Sequence, residues 1–393
     1  MPQNADFDIV VYGASGYTGR LVAEYLSQEY ADDANLRWAM AGRNETKLAE
    51  VRDEIGAPTD TPLLIADTED PASLDELVER TRVIITTVGP YQLYGSALVA
   101  ACSKAGTDYV DLCGEPAWMR QMIDAHEQTA RDSGARIVFS CGFDSIPFDL
   151  GVFFLQEAAR ERFGHTVPRV KGRVRKMKGT FSGGTAASLK ATMQAAKENP
   201  DILRLLGNPF ALAPGFQGPT QPPASKPEYD ENLGSWAAPF IMAAINTRNV
   251  HRSNALMDHA YGTDFVYDEM LLTGPGDQGK ATADAVAGDR SLSSDKAPKP
   301  GEGPTAEERE NGFYDVLFIG EAEDGRTLRA SVAGKRDPGY GSTSRMIAES
   351  AMCLLRDATD TPGGIWTTAP AMGHKLIDRL TEHAGLTFKL EDA

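Results

Sequence analysis

An apolar run from Phe7 to Tyr12 leads straight into Gly13-Ala14-Ser15-Gly16-Tyr17-Thr18-Gly19, and Leu21, Val22, Tyr25 and Leu26 then follow at helical spacing. No other stretch of the chain restricts its fold so strongly. Glycines spaced G-x-x-G-x-x-G permit a tight turn and let the backbone approach a pyrophosphate. The helix behind them offers free N–H groups and the positive end of its dipole. A strand, a glycine loop and a helix in this order open a βαβ unit, which implies a parallel sheet covered on both faces.

The alternation continues as that unit requires. Strands are expected at Leu36 to Met40, Leu63 to Ala66, Val83 to Val88, near Tyr109, and at Arg136 to Phe139. Helices are expected at Thr46 to Ile55, Pro71 to Glu79 and about Pro116 to Asp132. After Pro147 the rhythm changes to longer strands, Arg169 to Lys178, Asp264 to Thr273, Tyr314 to Ala322 and Thr327 to Lys335, with helices at Gly184 to Glu198 and Phe240 to Asn246. The fold class is therefore α/β, a Rossmann-type parallel sheet with an inserted α+β domain built on a mixed or antiparallel sheet. The expected division is residues 1–147 for the dinucleotide-binding domain and 148–343 for a substrate or dimerisation domain, with residues 344–393 returning to the first as helices. Leu206 to Asn232 reads as a loop. Gly274 to Asn311, poor in large apolar residues, reads as a flexible loop or lid.

A chain of 393 residues, 41% apolar, can bury a core of this size. No apolar run is long enough to span a membrane. The first residues lack the basic and apolar regions of a signal peptide, so a cytoplasmic protein is expected. Phe240 to Ile245 is apolar enough for peripheral contact with a membrane, although a core helix explains it as well. A net charge of −17 argues against nucleic-acid binding. The four cysteines, Cys102, Cys113, Cys141 and Cys353, form no metal-ligand pattern, and no metal site is expected.

The second strand ends Ala41-Gly42-Arg43-Asn44. An NAD site usually carries an acid there for the ribose hydroxyls, whereas Arg43 pairs with a 2′-phosphate. NADP(H) is the expected cofactor, with NAD(H) still open. Gly13 to Gly19, Gly42 and Arg43 form the expected cofactor site. Asp67, ending strand three, is placed to accept from the adenine amino group or to cap the next helix. Gly89, Pro90 and Tyr91 pass the ribose and nicotinamide.

With these pieces in place, Gly13 to Gly19, Ala41-Gly42-Arg43, Val88-Gly89-Pro90-Tyr91, Tyr109 to Glu115 and Gly142-Phe143-Asp144-Ser145-Ile146-Pro147 together resemble the saccharopine dehydrogenase-like oxidoreductases, and more closely their trans-acting enoyl reductase branch. Ser182 to Thr185 and Thr361 to Gly364 are similar to that branch too. The resemblance implies NADPH as reductant and reduction of an enoyl group in a lipid or polyketide chain.

Tyr91 is the expected proton donor, with Asp144 and Ser145 as substrate residues. Arg169, Lys171, Arg173 and Arg175 alternate along one strand, so their side chains share a face. Lys171 and Arg173 are thus a candidate dock for the phosphate of CoA, a carrier protein or a lipid, with a solvated face as the plain alternative. Other chemistries remain open: a saccharopine-type dehydrogenase, or an acyl-phosphate reductase resembling N-acetyl-glutamyl-phosphate reductase with Cys141 as nucleophile and His165, His251 or His259 as base. A non-catalytic NADP(H) sensor also remains open. The strand-rich second domain is compatible with a homodimer.

Overall fold

The computed structural model describes residues 5–180, 183–291 and 301–392. Six strands of the first domain, β1 (Phe7–Tyr12), β2 (Trp38–Gly42), β3 (Leu63–Ile65), β4 (Thr81–Thr86), β5 (Asp108–Val110) and β6 (Arg136–Val138), pair in parallel. Their order is 3-2-1-4-5-6, so the direction of winding reverses between β1 and β4. Ligands bind at that switch point, beyond the carboxyl ends of the strands. Helices α1 (Tyr17–Glu29), α2 (Glu45–Glu54), α3 (Pro71–Glu79), α4 (Tyr91–Tyr94), α5 (Ser96–Ala105) and α6 (Pro116–Ser133) link these strands. The apolar stripe of α1 buries Leu21, Val22, Tyr25 and Leu26, the residues its periodicity selects.

The chain then crosses over through α7 (Ile146–Phe163) into a second, mixed sheet. Its strands are β7 (Arg169–Lys178), β8 (Glu228–Asp230), β9 (Ser235–Pro239), β10 (Val266–Gly274), β11 (Phe313–Glu321) and β12 (Thr327–Gly334). Helices α8 (Gly183–Glu198), α9 (Pro200–Gly207), α10 (Ala243–Leu256), α11 (Gly276–Gly288) and α12 (Ala306–Glu310) lie between them. The last part of the chain serves both sheets. It runs through α13 (Thr343–Arg356), β13 (Gly364–Trp366), α14 (Thr368–Glu382) and β14 (Leu386–Glu391). β13 extends the parallel sheet beside β6, while β14 pairs with β12 at the edge of the second.

Three expectations need correction. The stretch read as a flexible loop from Gly274 to Asn311 holds α11 and α12; its residues 292–300 lie outside the described residues. Alanines favour α11, and its Gly279 packs so closely that a Cβ would overlap the Gly274 carbonyl. The helix placed at Phe240 to Asn246 starts later and runs on to Leu256. The C-terminal segment contributes two strands besides its helices.

Candidate functional site

The phosphate loop leaves β1 at Gly13, whose φ of +88° lies in the left-handed region. A side chain there would also press on Val88 Cγ2 at 2.7 Å. At Gly19 a Cβ would overlap the Gly13 carbonyl, so α1 can approach the turn only with glycine. Ala14 is buried, Ser15 and Gly16 are exposed, and Gly16 is the N-cap of α1. The first amides of α1 have no partner within the helix and remain available to an anion. Tyr17, by contrast, gives its hydroxyl to the Pro304 carbonyl and takes a bond from Arg309 at 3.0 Å. Its ring packs edge-on against Tyr340. Thr18 faces the main cavity.

Arg43 follows Gly42 at the end of β2 and is exposed. The partly buried Asp67 is near enough, with Arg43, to influence the Tyr12 hydroxyl, whose pKa burial pushes up to about 12. Asp67 does not cap α3; Asp70 does, accepting from the Ala72 N–H at 3.2 Å.

Beyond the ends of β4, β5 and β6 opens a cavity of about 690 Å³. One wall is made by Thr87, Gly89, Tyr91, Leu112, Gly114, Glu115, Gly142 and Asp144. The opposite wall is chiefly apolar: Leu189 and Met193 of α8, Leu203 and Leu206 of α9, and Ile241 to Ile245 at the start of α10. The apolar segment from Phe240 to Ile245 lines this cavity through Ile241, Met242, Ala244 and Ile245, while Phe240 packs on Phe148.

Tyr91 sits in this wall, but its hydroxyl is occupied. It donates to the Thr86 carbonyl at 3.2 Å and accepts from the Leu112 N–H at 3.0 Å. Burial holds its pKa well above the ordinary tyrosine value. The expected proton donor thus reads as a brace between β4 and the loop after β5. Glu115, which sequence reasoning did not single out, has a similar role. Its carboxylate accepts from the N–H groups of Tyr91 and Gln92 and from the side chains of Gln92 and Ser188, all at 2.8–2.9 Å. It caps α4 and ties α8 to the first domain. Asp111 accepts from the Tyr109 hydroxyl and from the Cys113 and Ser140 amides, and burial raises its pKa to about 7.

Asp144 differs from these groups. The turn carrying it is fixed on both sides: Phe143 N–H donates to Thr343 Oγ1 at 2.9 Å, and Ser145 Oγ accepts from Asn249 at 2.8 Å. Ser145 is thereby a buried link to α10. The Asp144 carboxyl faces the cavity opposite Gly114, and burial raises its pKa to about 6. No other side chain contributes to that shift.

The cation row of β7 is not a positive patch. Arg173 is buried and paired with Asp268 at 2.8 Å, with Asp230 and Glu228 beyond, and Arg169 also reaches Asp268. Lys171 pairs with Glu321 at 2.6 Å, and Arg175 with Asp315 and Glu391 at 2.7 Å. Carboxylates from β8, β10, β11, β12's neighbour β14 and the strand ends neutralise the row. Lys171 and Arg173 line a separate groove, away from the cavity. Cys141 is also outside the cavity wall; it is fully buried, which pushes its thiol well above the ordinary range. His251 is buried and its pKa falls to about 3, chiefly through that burial.

Residues 9–138 match the saccharopine dehydrogenase NADP binding domain. The chain is 41% identical, over an alignment of 402 residues that covers 95% of each chain, to Rv2449c of Mycobacterium tuberculosis, which carries the trans-acting enoyl reductase name provisionally. It is 38% identical to a trans-acting enoyl reductase of Mycobacterium ulcerans, with 96% of each covered. In fold it is similar to apo saccharopine dehydrogenase (L-Glu forming) of Saccharomyces cerevisiae, with a TM-score of 0.55 at 12% identity, covering 98% of this chain and 100% of that one. This chain, an oxidoreductase built on an NADP-binding Rossmann domain, belongs to the trans-acting enoyl reductase family.

Proposed function

We propose that the protein reduces a carbon–carbon double bond conjugated to the carbonyl of a long acyl chain. The observation that carries this reading is the cavity, which joins the strand ends of the switch point to an apolar channel under α8, α9 and α10. In this reading Gly13 to Gly19 hold the pyrophosphate, Arg43 the 2′-phosphate and Asp67 the adenine. Gly89 and Pro90 border the ribose and nicotinamide. The phosphate loop fits such a group, because Gly13 and Gly19 allow the tight turn and the close approach of α1, and Ser15 and Gly16 are exposed ahead of the first α1 amides. When bound, NADPH supplies the hydride.

The chain's own work is to place the alkene, exclude water and deliver a proton. The apolar wall holds the acyl tail and excludes water. Asp144 replaces Tyr91 as the proton source: its carboxyl faces the cavity and gives its proton to the carbon next to the carbonyl. Tyr91 and Glu115 act by positioning that wall. Met193, Leu203 and Ile241 are exposed at the cavity's rim, which suits a chain delivered on CoA or on a larger carrier.

The test is to supply NADPH with 2-enoyl-CoA substrates of increasing chain length. NADPH oxidation should occur, with efficiency rising as the chain fills the channel. Turnover of a ketone or imine in preference to every enoyl substrate would overturn the reading.

A further inference from the structure

Four arginines are almost wholly buried among the described residues: Arg136, Arg173, Arg248 and Arg252. Three have a counter-charge. Arg136 is paired with Asp108, Arg173 with Asp268 at 2.8 Å, and Arg252 with Glu127 at 3.3 Å. Arg248 is the exception. It is 8% exposed and donates only to two backbone carbonyls, those of Ala244 in its own helix and Leu206 at the end of α9. Its Nε is buried without a partner, as are those of Arg173 and Arg252, so the difference lies in the missing carboxylate. Burial lowers the Arg248 pKa to about 10, and no acidic side chain offsets that cost.

A guanidinium out of water without an anion is unfavourable, and five N–H donors cannot be satisfied by two carbonyls. Arg248 lines the cavity, one residue from the Asn249 that fixes the Asp144 turn. Two acids line the same cavity. Glu115 is fully occupied by its own donors, and Asp144 is not influenced by Arg248. No carboxylate of the described residues meets Arg248, so its side of the cavity is open to an anionic ligand.

We propose that Arg248 forms an anion subsite within the acyl cavity, receiving the oxygen that carries negative charge on the acyl head, as a carboxylate or as an enolate. This rests on the acyl-chain reading of the cavity and adds the charge its ligand should bear. During reduction, hydride addition at the β-carbon moves the alkene pair toward the carbonyl oxygen. Arg248 donates to that oxygen. The pair returns to the α-carbon as the Asp144 proton arrives there, which restores the carbonyl and leaves Asp144 ionised. A planar fork of N–H donors suits such an oxygen better than a point charge does.

The test needs no turnover. Wild type is titrated calorimetrically with dodecanoate and with 1-dodecanol, which share a chain and differ in head charge. Dodecanoate should bind at least about tenfold more tightly, as expected for a charge-assisted bond. Arg248→Gln should abolish the preference while keeping affinity for the alcohol. Should that variant fail to fold, Arg248→Lys keeps the charge and should retain a reduced preference. Equal binding of the two heads by wild type would overturn the subsite, as would a preference that survives in folded Arg248→Gln. If neither chain binds, the acyl-chain reading fails and the subsite with it. Preference for dodecanoate without turnover of any enoyl thioester would leave the subsite standing and overturn the proposed reaction alone.

Discussion

On the strand side of the cavity, Tyr91 and Glu115 are tied by hydrogen bonds to backbone and neighbouring side chains, and Asp144 is left facing open space. On the helical side the lining is chiefly apolar, and Arg248 is the buried charge that no carboxylate meets. Each wall thus has a majority that builds it and a buried group with unmet capacity: the Asp144 carboxyl on one side and, on the other, the Arg248 guanidinium, whose two carbonyl partners leave its charge unpaired. The lesson is a rule for assigning roles: groups whose charge and hydrogen bonds are met within the protein hold the cavity's shape, and groups left with unmet charge or donors act on what enters it. Removing the first kind should cost stability; removing the second should cost turnover or binding and leave the fold intact.

The largest effect expected under this rule is at Asp144. Asp144→Asn should lower turnover by about 10²–10⁴-fold, the usual worth of a positioned acid, with little change in melting temperature. The pH dependence follows from the raised pKa. Burial keeps the carboxyl protonated up to about pH 6, so wild-type kcat/KM should fall as pH rises through about 6. Glu115 on the adjoining loop and Arg248 from α10 border the same space, and the buried Cys113 thiol lies near enough to feel the Asp144 charge, so these are the groups to leave unchanged. The variant should lack this limb. A variant that loses stability and keeps its pH profile would break the comparison.

Glu115→Ala is the complementary case. It leaves the Tyr91 and Gln92 amides and the Gln92 and Ser188 side chains without their shared acceptor, and should destabilise the fold by about 3 kcal/mol. Urea denaturation measures this. Activity should fall only in proportion to the folded fraction.

Arg43→Ala should weaken NADPH binding by about 1–3 kcal/mol and leave NADH binding unchanged, because only the former has a phosphate to lose. Calorimetry with both cofactors checks the difference. The smallest effect belongs to Tyr91→Phe, which removes two hydrogen bonds to backbone. It should cost about 1–2 kcal/mol of stability and retain most of the turnover. A turnover loss as large as that of Asp144→Asn would restore Tyr91 as proton donor.

What could be read from the sequence follows from where the partners lie. The phosphate loop was legible because its strand, turn and helix are contiguous and its constraints are local: a left-handed φ at Gly13 and close approach at Gly19. The strand of β7 was legible as a strand, with the bounds Arg169 to Lys178, but its charge was not, since Asp268, Asp315, Glu321 and Glu391 come from distant parts of the chain. Tyr91 stood out because a tyrosine near the nicotinamide loop can donate a proton; its acceptor is a backbone carbonyl, which carries no sequence signal. The run of α10 beyond Asn246 was missed for a related reason. Asn246 to Asn254 is a run of polar residues that reads as surface, yet Asn246, Asn249, Arg252 and Ser253 are buried against Glu269, Ser145, Glu127 and Asp149. The signal that was present is the polar run immediately after an apolar start, in a stretch with no proline or glycine to break a helix.

The central claim is that one cavity joins hydride delivery at the strand ends to proton delivery from Asp144 on an enoyl chain. The most direct measurement is reduction of a 2-enoyl-CoA with NADPH deuterated at the transferable position, and separately with ordinary NADPH in deuterium oxide, followed by mass and NMR analysis of the product. The account predicts a saturated acyl product, with cofactor deuterium at the β-carbon and solvent deuterium at the α-carbon, formed far more slowly by Asp144→Asn. Cofactor deuterium on a carbonyl carbon, or no label transfer to any enoyl chain tested, would contradict it.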